Sequence, residues 1–205
     1  HMDEFTTDTL VRYTDFLRND VTVDGEVVKE GMRNSTLTKQ LGYLRWFLKW
    51  ADGRQLLKCR DYVTYHPRIK DVPSKVIFLE WDELMAIYNM EFNMAETFLH
   101  KYRDVFCFSC FTSLRFSDVM NLRWSDIHNN VMTVTTVKTA DPVRIELNSY
   151  AQDILGRYAE FDFPDDHVFP RVVNQVMNRY LRELGERAGI DTPGHRTWYK
   201  GNERH

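Results

Sequence analysis

Residues 111–127 read FTSLRFSDVMNLRWSDI. Just ahead of them, Ala95–Phe111 has helical spacing and is almost wholly apolar after Asp104, the pattern of a helix buried on all sides at the centre of a domain. Thr112 and Ser113 break that helix. A new helix is expected over Leu114–Leu122, capped by Ser113, with Val119 and Leu122 on its inner side. Arg115 then falls in its first turn. A held guanidinium beside free backbone donors suits an anionic oxygen. Asp118, one turn on, could orient it. The same spacing is also that of an ordinary intrahelical ion pair, worth roughly 0.2–0.5 kcal/mol.

Working outward toward the C-terminus, Asn129-Asn130 reads as a turn and Val131–Val137 as a strand rich in β-branched residues. Ala140-Asp141-Pro142 reads as a second turn and Val143–Leu147 as an alternating strand: a small antiparallel sheet. Lys138 sits at a strand end, where it either reaches past the sheet into a cleft or is a solvated edge lysine that blunts aggregation. Helices follow at Ser149–Glu160 and Asn174–Ala188. Toward the N-terminus, Thr6–Leu17 carries Leu10, Tyr13 and Leu17 at helical spacing, capped by Thr6 or Thr7. Val21–Val28 reads as a hairpin centred on Asp24-Gly25. Asn34-Ser35 offers an N-cap for a helix with Leu37, Leu41, Leu44, Leu48 and Ala51 on one stripe. Tyr43, Phe47 and Trp50 are expected to widen that apolar face, leaving Lys39, Arg45 and Lys49 outward. His66-Pro67 and Val72-Pro73-Ser74 mark a linker. The expected organisation is a helical domain over 3–66, a linker over 67–75 and a second domain over 76–205.

The chain has 205 residues, 43% of them hydrophobic and 28% charged, which excludes disordered and fibrous classes. No run of 18 apolar residues is present, so no ordinary membrane-spanning helix is expected. The start is polar and acidic, unlike a secretory leader. Three cysteines, Cys59, Cys107 and Cys110, fit a reducing cytoplasm. Cys107 and Cys110 form a C-x-x-C inside an apolar run, with no second pair to complete a zinc site. They are expected to be buried helix cysteines. The net charge of −3 hides a strong split: −5 over residues 1–28, +7 over residues 29–75 (eleven basic, four acidic) and −5 over the remainder. A basic block interleaved with aromatics, including Arg33, Lys39, Arg45, Lys49, Lys58 and Lys75, attracts a polyanion even when the whole chain is acidic. A helix packed on one side and basic on the other can lie along a duplex and release its counterions.

The 111–127 stretch resembles the first catalytic box of tyrosine recombinases, the phage-integrase family: a Thr-Gly-Leu-Arg-like turn, an acidic residue three positions later, then Leu-x-Trp-x-Asp-Ile. Ser113 stands where the family usually has Gly. Val137-Lys138-Thr139 followed by Val143–Leu147 resembles the lysine-bearing hairpin that comes next. Ser35–Ala51 followed by Val76–Leu84 is similar to a helical core-binding domain joined to the catalytic domain. Trp198–Arg204 is similar to a segment of integrases from Bacteroides-type mobile elements, just upstream of the second box.

The resemblance implies a mainly α fold with a small antiparallel sheet (α+β), a helical SAM-like core-binding domain followed by a partial catalytic domain. It implies DNA cleavage through a 3′-phosphotyrosyl link, with no metal and no cofactor. Arg115 would hold non-bridging phosphate oxygens, Lys138 would protonate the leaving 5′-oxygen and Asp118 would brace Arg115. The second His-x-x-Arg box and the nucleophilic tyrosine are not found among these residues: His195-Arg196 is adjacent and Tyr199 follows too closely. The chain is therefore expected to be C-terminally truncated, binding double-stranded DNA as a monomer without cleaving it. The whole protein is expected to be a tetramer on paired sites in the bacterial cytoplasm. The alternatives are a non-catalytic DNA-binding protein on the same scaffold and a helical protein-interaction module.

Overall fold

The computed structural model describes residues 5–72, 76–137, 141–190, 192–194 and 197–205. It is mainly helical with small antiparallel sheets, the α+β class expected. The chain makes two compact units, one of residues 1–77 together with 194–205, the other of residues 78–193. The first unit is thus discontinuous in sequence. The last twelve residues, expected to continue the second domain, return to the first.

In the first unit, helix α1 (Thr7–Arg18) starts on Thr6, whose side chain accepts from the Thr9 N–H. Leu10, Thr14 and Leu17 are buried, whereas Tyr13 is exposed. Thr14 tolerates burial because its hydroxyl donates to the Leu10 carbonyl and accepts from the Tyr65 hydroxyl, each at 2.8 Å. Strands β1 (Val21–Val23) and β2 (Glu26–Lys29) pair antiparallel across Asp24 and Gly25, both at positive φ, the geometry that suits a two-residue hairpin. Helix α2 (Asn34–Gly53) buries Leu37, Leu48 and Ala51. Leu10, Leu48 and Tyr62 of α3 (Asp61–Thr64) form a small core, edged by Phe5, Leu44, Leu57 and Tyr65. This core covers only one side of α2. Tyr43, Phe47 and Trp50, expected to face inward, are exposed, as is Trp46 at 71%.

The second unit is built on helix α5 (His100–Thr112), entered through a 3-10 turn at Met94–Leu99 that replaces the first part of the continuous helix expected. Asn93 caps that turn by accepting from the Ala95 N–H, and 3-10 geometry is common at helix starts. Val105, Cys107 and Phe108 are fully buried. Around them pack α4 (Trp81–Tyr88), α6 (Phe116–Met120), α7 (Ser149–Tyr158) and α8 (Asn174–Arg187). A three-stranded antiparallel sheet in the order β3 (Ile127–His128), β4 (Val131–Thr135), β5 (Pro142–Glu146) pairs Met132 with Ile145 and Val134 with Val143. Of the C-x-x-C pair only Cys107 is buried, its thiol pushed up to about 12 by burial; Cys110 is exposed. No helix among the described residues is long and apolar enough to cross a membrane.

One polar cluster crosses this core. Asp104 accepts from Arg103 Nε at 2.8 Å, from Arg157 Nη1 at 2.7 Å and from the Tyr158 hydroxyl at 3.1 Å. Arg103 is only 6% exposed. Replacing Asp104 by Ala leaves that guanidinium buried without its counter-charge, so Asp104→Ala should lower the unfolding free energy by about 3–5 kcal/mol. Urea denaturation of the variant beside the parent chain measures it.

Candidate functional site

Arg115 owes its position to the turn that precedes it. Helix α5 ends at Ser113, which adopts left-handed backbone at φ 58°. Leu114 then points into the core, its carbonyl held by the Ser109 hydroxyl at 2.6 Å. In extended backbone the next side chain projects the opposite way, so Arg115 (φ −70°, ψ 153°) is exposed. Arg115 is the N-cap of α6 and not a member of its first turn. Its carbonyl accepts from the N–H groups of Asp118 and Val119 at 2.9 and 3.0 Å. The helix is five residues long, so the local positive charge comes from the guanidinium itself. That group has no hydrogen bond or ion pair among the described residues.

Asp118 behaves differently from expectation. It is 4% exposed and turns inward, and it makes no ion pair with Arg115 among the described residues. The i,i+3 proximity rule applies within a helix, and Arg115 lies outside it. Instead, Asp118 Oδ1 accepts the backbone N–H of Val137 at 2.8 Å, while Oδ2 is buried without a partner among the described residues. Val137 directly precedes Lys138 in the sequence. Lys138 lies outside the described residues, as does Lys75. The one-turn helix that begins on Arg115 therefore also grips the backbone next to the candidate lysine.

The rest of the motif is scaffolding. Asp126 accepts the Arg123 N–H at 3.0 Å and closes the 3-10 turn Trp124–Asp126. The Leu122 carbonyl accepts from the Val168 N–H at 3.0 Å, tying the motif to a later segment. No cluster of three His, Cys, Asp or Glu side chains able to hold a metal is found among the described residues.

The basic residues of the first unit divide into two sets. Lys39 and Lys49 are exposed on α2 and make no ion pair or hydrogen bond among the described residues. Lys58 is exposed as well. Arg45 is engaged internally: its Nη2 donates to the Tyr65 carbonyl at 2.7 Å and lies 3.1 Å from His66 Nδ1. Arg33 stacks its guanidinium 4.3 Å over the Trp198 ring.

The tyrosines in the second unit have structural partners. Tyr158 donates to Asp104 and Tyr88 donates to Asp153 at 2.5 Å. Burial, then the bond to Asp153, pushes the Tyr88 hydroxyl up to about 12; burial and the nearby Asp104 push Tyr158 up as well. Both are thereby held protonated. Tyr180 packs against Tyr102 and Phe98, and Tyr150 stacks on Phe111.

Residues 78–198 match the model of the phage integrase family, over half of the chain, and the chain belongs to that family. No curated protein sequence matches. Among solved structures, the fold is similar to a lambda integrase dimer bound to a COC′ core site (17% identity, TM-score 0.64, covering 94% of this chain and 66% of that one). It is similar also to a lambda integrase tetramer bound to a Holliday junction (14%, 0.62, 94% and 56%). A third is the XerH site-specific recombinase bound to its difH substrate (11%, 0.55, 97% and 56%). The chain spans less than two thirds of the length of each.

Two substitutions probe this site. A residue with a side chain in left-handed backbone is strained by about 1–2 kcal/mol, so Ser113→Gly should raise the unfolding free energy by about 1 kcal/mol, read from the denaturation midpoint. Asp118→Ala leaves the Val137 N–H without its acceptor, a loss of about 1–3 kcal/mol. Amide hydrogen exchange at Val137 should accelerate in that variant, while amides of α7 stay protected.

Proposed function

We propose that this chain is part of a tyrosine recombinase that cuts and rejoins double-stranded DNA, and that its two units supply different parts of the task. In the second unit, Arg115 and Lys138 act on one phosphodiester. Arg115 neutralises the non-bridging oxygens as negative charge accumulates at phosphorus, a contribution of fixed charge rather than of covalent chemistry. Lys138 gives its proton to the 5′-oxygen as that oxygen leaves. A tyrosine oxygen forms the new bond to phosphorus while the bond to the 5′-oxygen breaks, so the phosphoester bond is conserved and no nucleotide hydrolysis is needed. The observation that carries this reading is the Asp118 to Val137 hydrogen bond. It binds the element bearing Arg115 to the backbone beside Lys138, which is what two cations converging on one phosphate require.

The nucleophile is assigned to a part of the protein other than residues 1–205. Tyr88 and Tyr158 are locked as donors to carboxylates, and the chain spans only part of its structural relatives. Alone, it binds duplex without cutting it, and the whole protein assembles as a tetramer on paired sites in the cytoplasm. The Trp198–Arg204 segment favours a mobile-element integrase of the Bacteroides type within the family.

In the first unit, Lys39, Lys49 and Lys58 meet backbone phosphates, whereas Arg45 serves the fold. Duplex affinity should fall linearly with log salt, each phosphate contact contributing about 0.9 to the slope. Lys39→Ala with Lys49→Ala should flatten the slope by about 2 without lowering thermal stability. Arg45→Ala should lower stability instead. A slope near zero in the parent chain, measured by fluorescence anisotropy of a labelled duplex, overturns the DNA reading and supports a protein-interaction module. In the complete recombinase, Arg115→Ala should abolish cleavage and leave binding largely intact.

A further inference from the structure

We propose that the first unit carries a docking site for a β-turn, pinned by the buried Asn34, and that the chain's own residues 198–205 occupy it as a clasp. Strands β6 (Tyr199–Lys200) and β7 (Glu203–Arg204) pair antiparallel, and Trp198 and His205 exchange both backbone hydrogen bonds at 3.1 and 2.9 Å. Gly201 at the tip has φ 58°, backbone that a side chain strains.

The receiving surface is built for that tip. Asn34 is 1% exposed, and every polar atom of its amide is engaged. Nδ2 donates to the Gly201 carbonyl at 2.8 Å and to the Lys70 carbonyl at 2.7 Å, and Oδ1 accepts the Gly201 N–H at 2.9 Å. One buried amide thus reads both backbone groups of a single residue, much as a neighbouring strand would. Asp20 takes Lys200 Nζ at 2.7 Å and the Gly31 N–H at 2.6 Å. Gly31 itself packs so tightly that an added Cβ would stand 2.1 Å from the Arg18 carbonyl oxygen. Arg33 lies over the Trp198 ring and Lys70 lies 5.9 Å over that of Tyr199. The site therefore selects an aromatic pair, then a lysine, then a glycine in left-handed backbone, which is the order Trp198-Tyr199-Lys200-Gly201.

Asn34 explains the design. As the first residue of α2 with a buried, fully paired side chain, it does nothing for the helix start, where Arg33 stands as a cap without a side-chain bond. Its amide is aimed away from its own helix at residues 36 and 167 positions later. Asn34 is buried with the turn in place, and the turn supplies the partner of Oδ1 and one of the two acceptors of Nδ2, so undocking exchanges two paired hydrogen bonds for contacts with water.

The test uses the full 205-residue chain without DNA, so its failure leaves the recombinase reading standing, and the reverse. Hydrogen exchange at the Gly201, Trp198 and His205 amides and tryptic cleavage after Lys200 report docking directly. In the parent chain those amides should be protected and the cut slow. Each lost hydrogen bond shifts the docking equilibrium by about tenfold. Asn34→Ala, which loses both bonds to Gly201, should therefore speed both readouts by roughly 10–100-fold, and Gly201→Ala, which keeps both backbone groups but strains the left-handed backbone at φ 58°, should speed them by roughly 5–30-fold. Gly201→Ala acts from the hairpin side, so α2 amides should keep their protection and separate clasp release from general unfolding. Free-peptide exchange of the hairpin in the parent chain, or cleavage after Lys200 at the parental rate in both variants, overturns the proposal.

Discussion

A single carboxylate oxygen on a one-turn helix receives a backbone N–H from just past the end of a strand, and the candidate site depends on that bond. Asp118 can reach Val137 only because it points into the unit, and it points inward only because the preceding chain has been turned. The turning is done at Ser113, where left-handed backbone ends the central helix of the unit. Leu114 goes in, Arg115 goes out and Asp118 goes in again. The polarity of the motif is thus a record of successive side-chain directions. The turn fixes the direction in which the Arg115 side chain leaves the backbone, while its guanidinium, without a partner among the described residues, stays available to an anion.

Much of this was legible in the residues. The all-apolar helix after Asp104, the break at Thr112-Ser113, the Asp24-Gly25 hairpin and the antiparallel sheet follow from periodicity and turn chemistry, and each is a local property. The roles of Asp118 and Asn34 were not legible. Sequence spacing puts Asp118 beside Arg115 and makes Asn34 a cap; in both cases the partner is a backbone group, Val137 or Gly201, distant in sequence and carrying no side-chain signal. Tyr43, Phe47 and Trp50 failed for another reason. Their helical spacing is that of a packed face, but the first unit has only a small core to offer, and the side of the helix that carries Leu37, Leu48 and Ala51 takes the burial. The expected exposure of Arg45 was right, yet its guanidinium satisfies the Tyr65 carbonyl, which charge counting does not reveal.

The basic block of residues 29–75 accordingly serves two ends. Arg33, Arg45 and Lys70 hold neighbouring chain through carbonyl and aromatic-face contacts. Lys39 and Lys49 remain open on a helix whose exposed side also carries Tyr43, Trp46 and Trp50. Long cationic side chains beside flat rings form an amphipathic surface, and such surfaces favour partners that offer both phosphate charge and stackable or apolar edges.

The discontinuity of the first unit has a consequence for biosynthesis. Asn34 emerges from the ribosome long before Gly201, 167 positions later. At roughly 5–20 residues per second that interval is about 10–30 s, during which the Asn34 amide is without its Gly201 partner. Closure across so long a separation belongs among the late, high-contact-order events of folding. The first unit can therefore be completed only after the whole of the intervening second unit has been made.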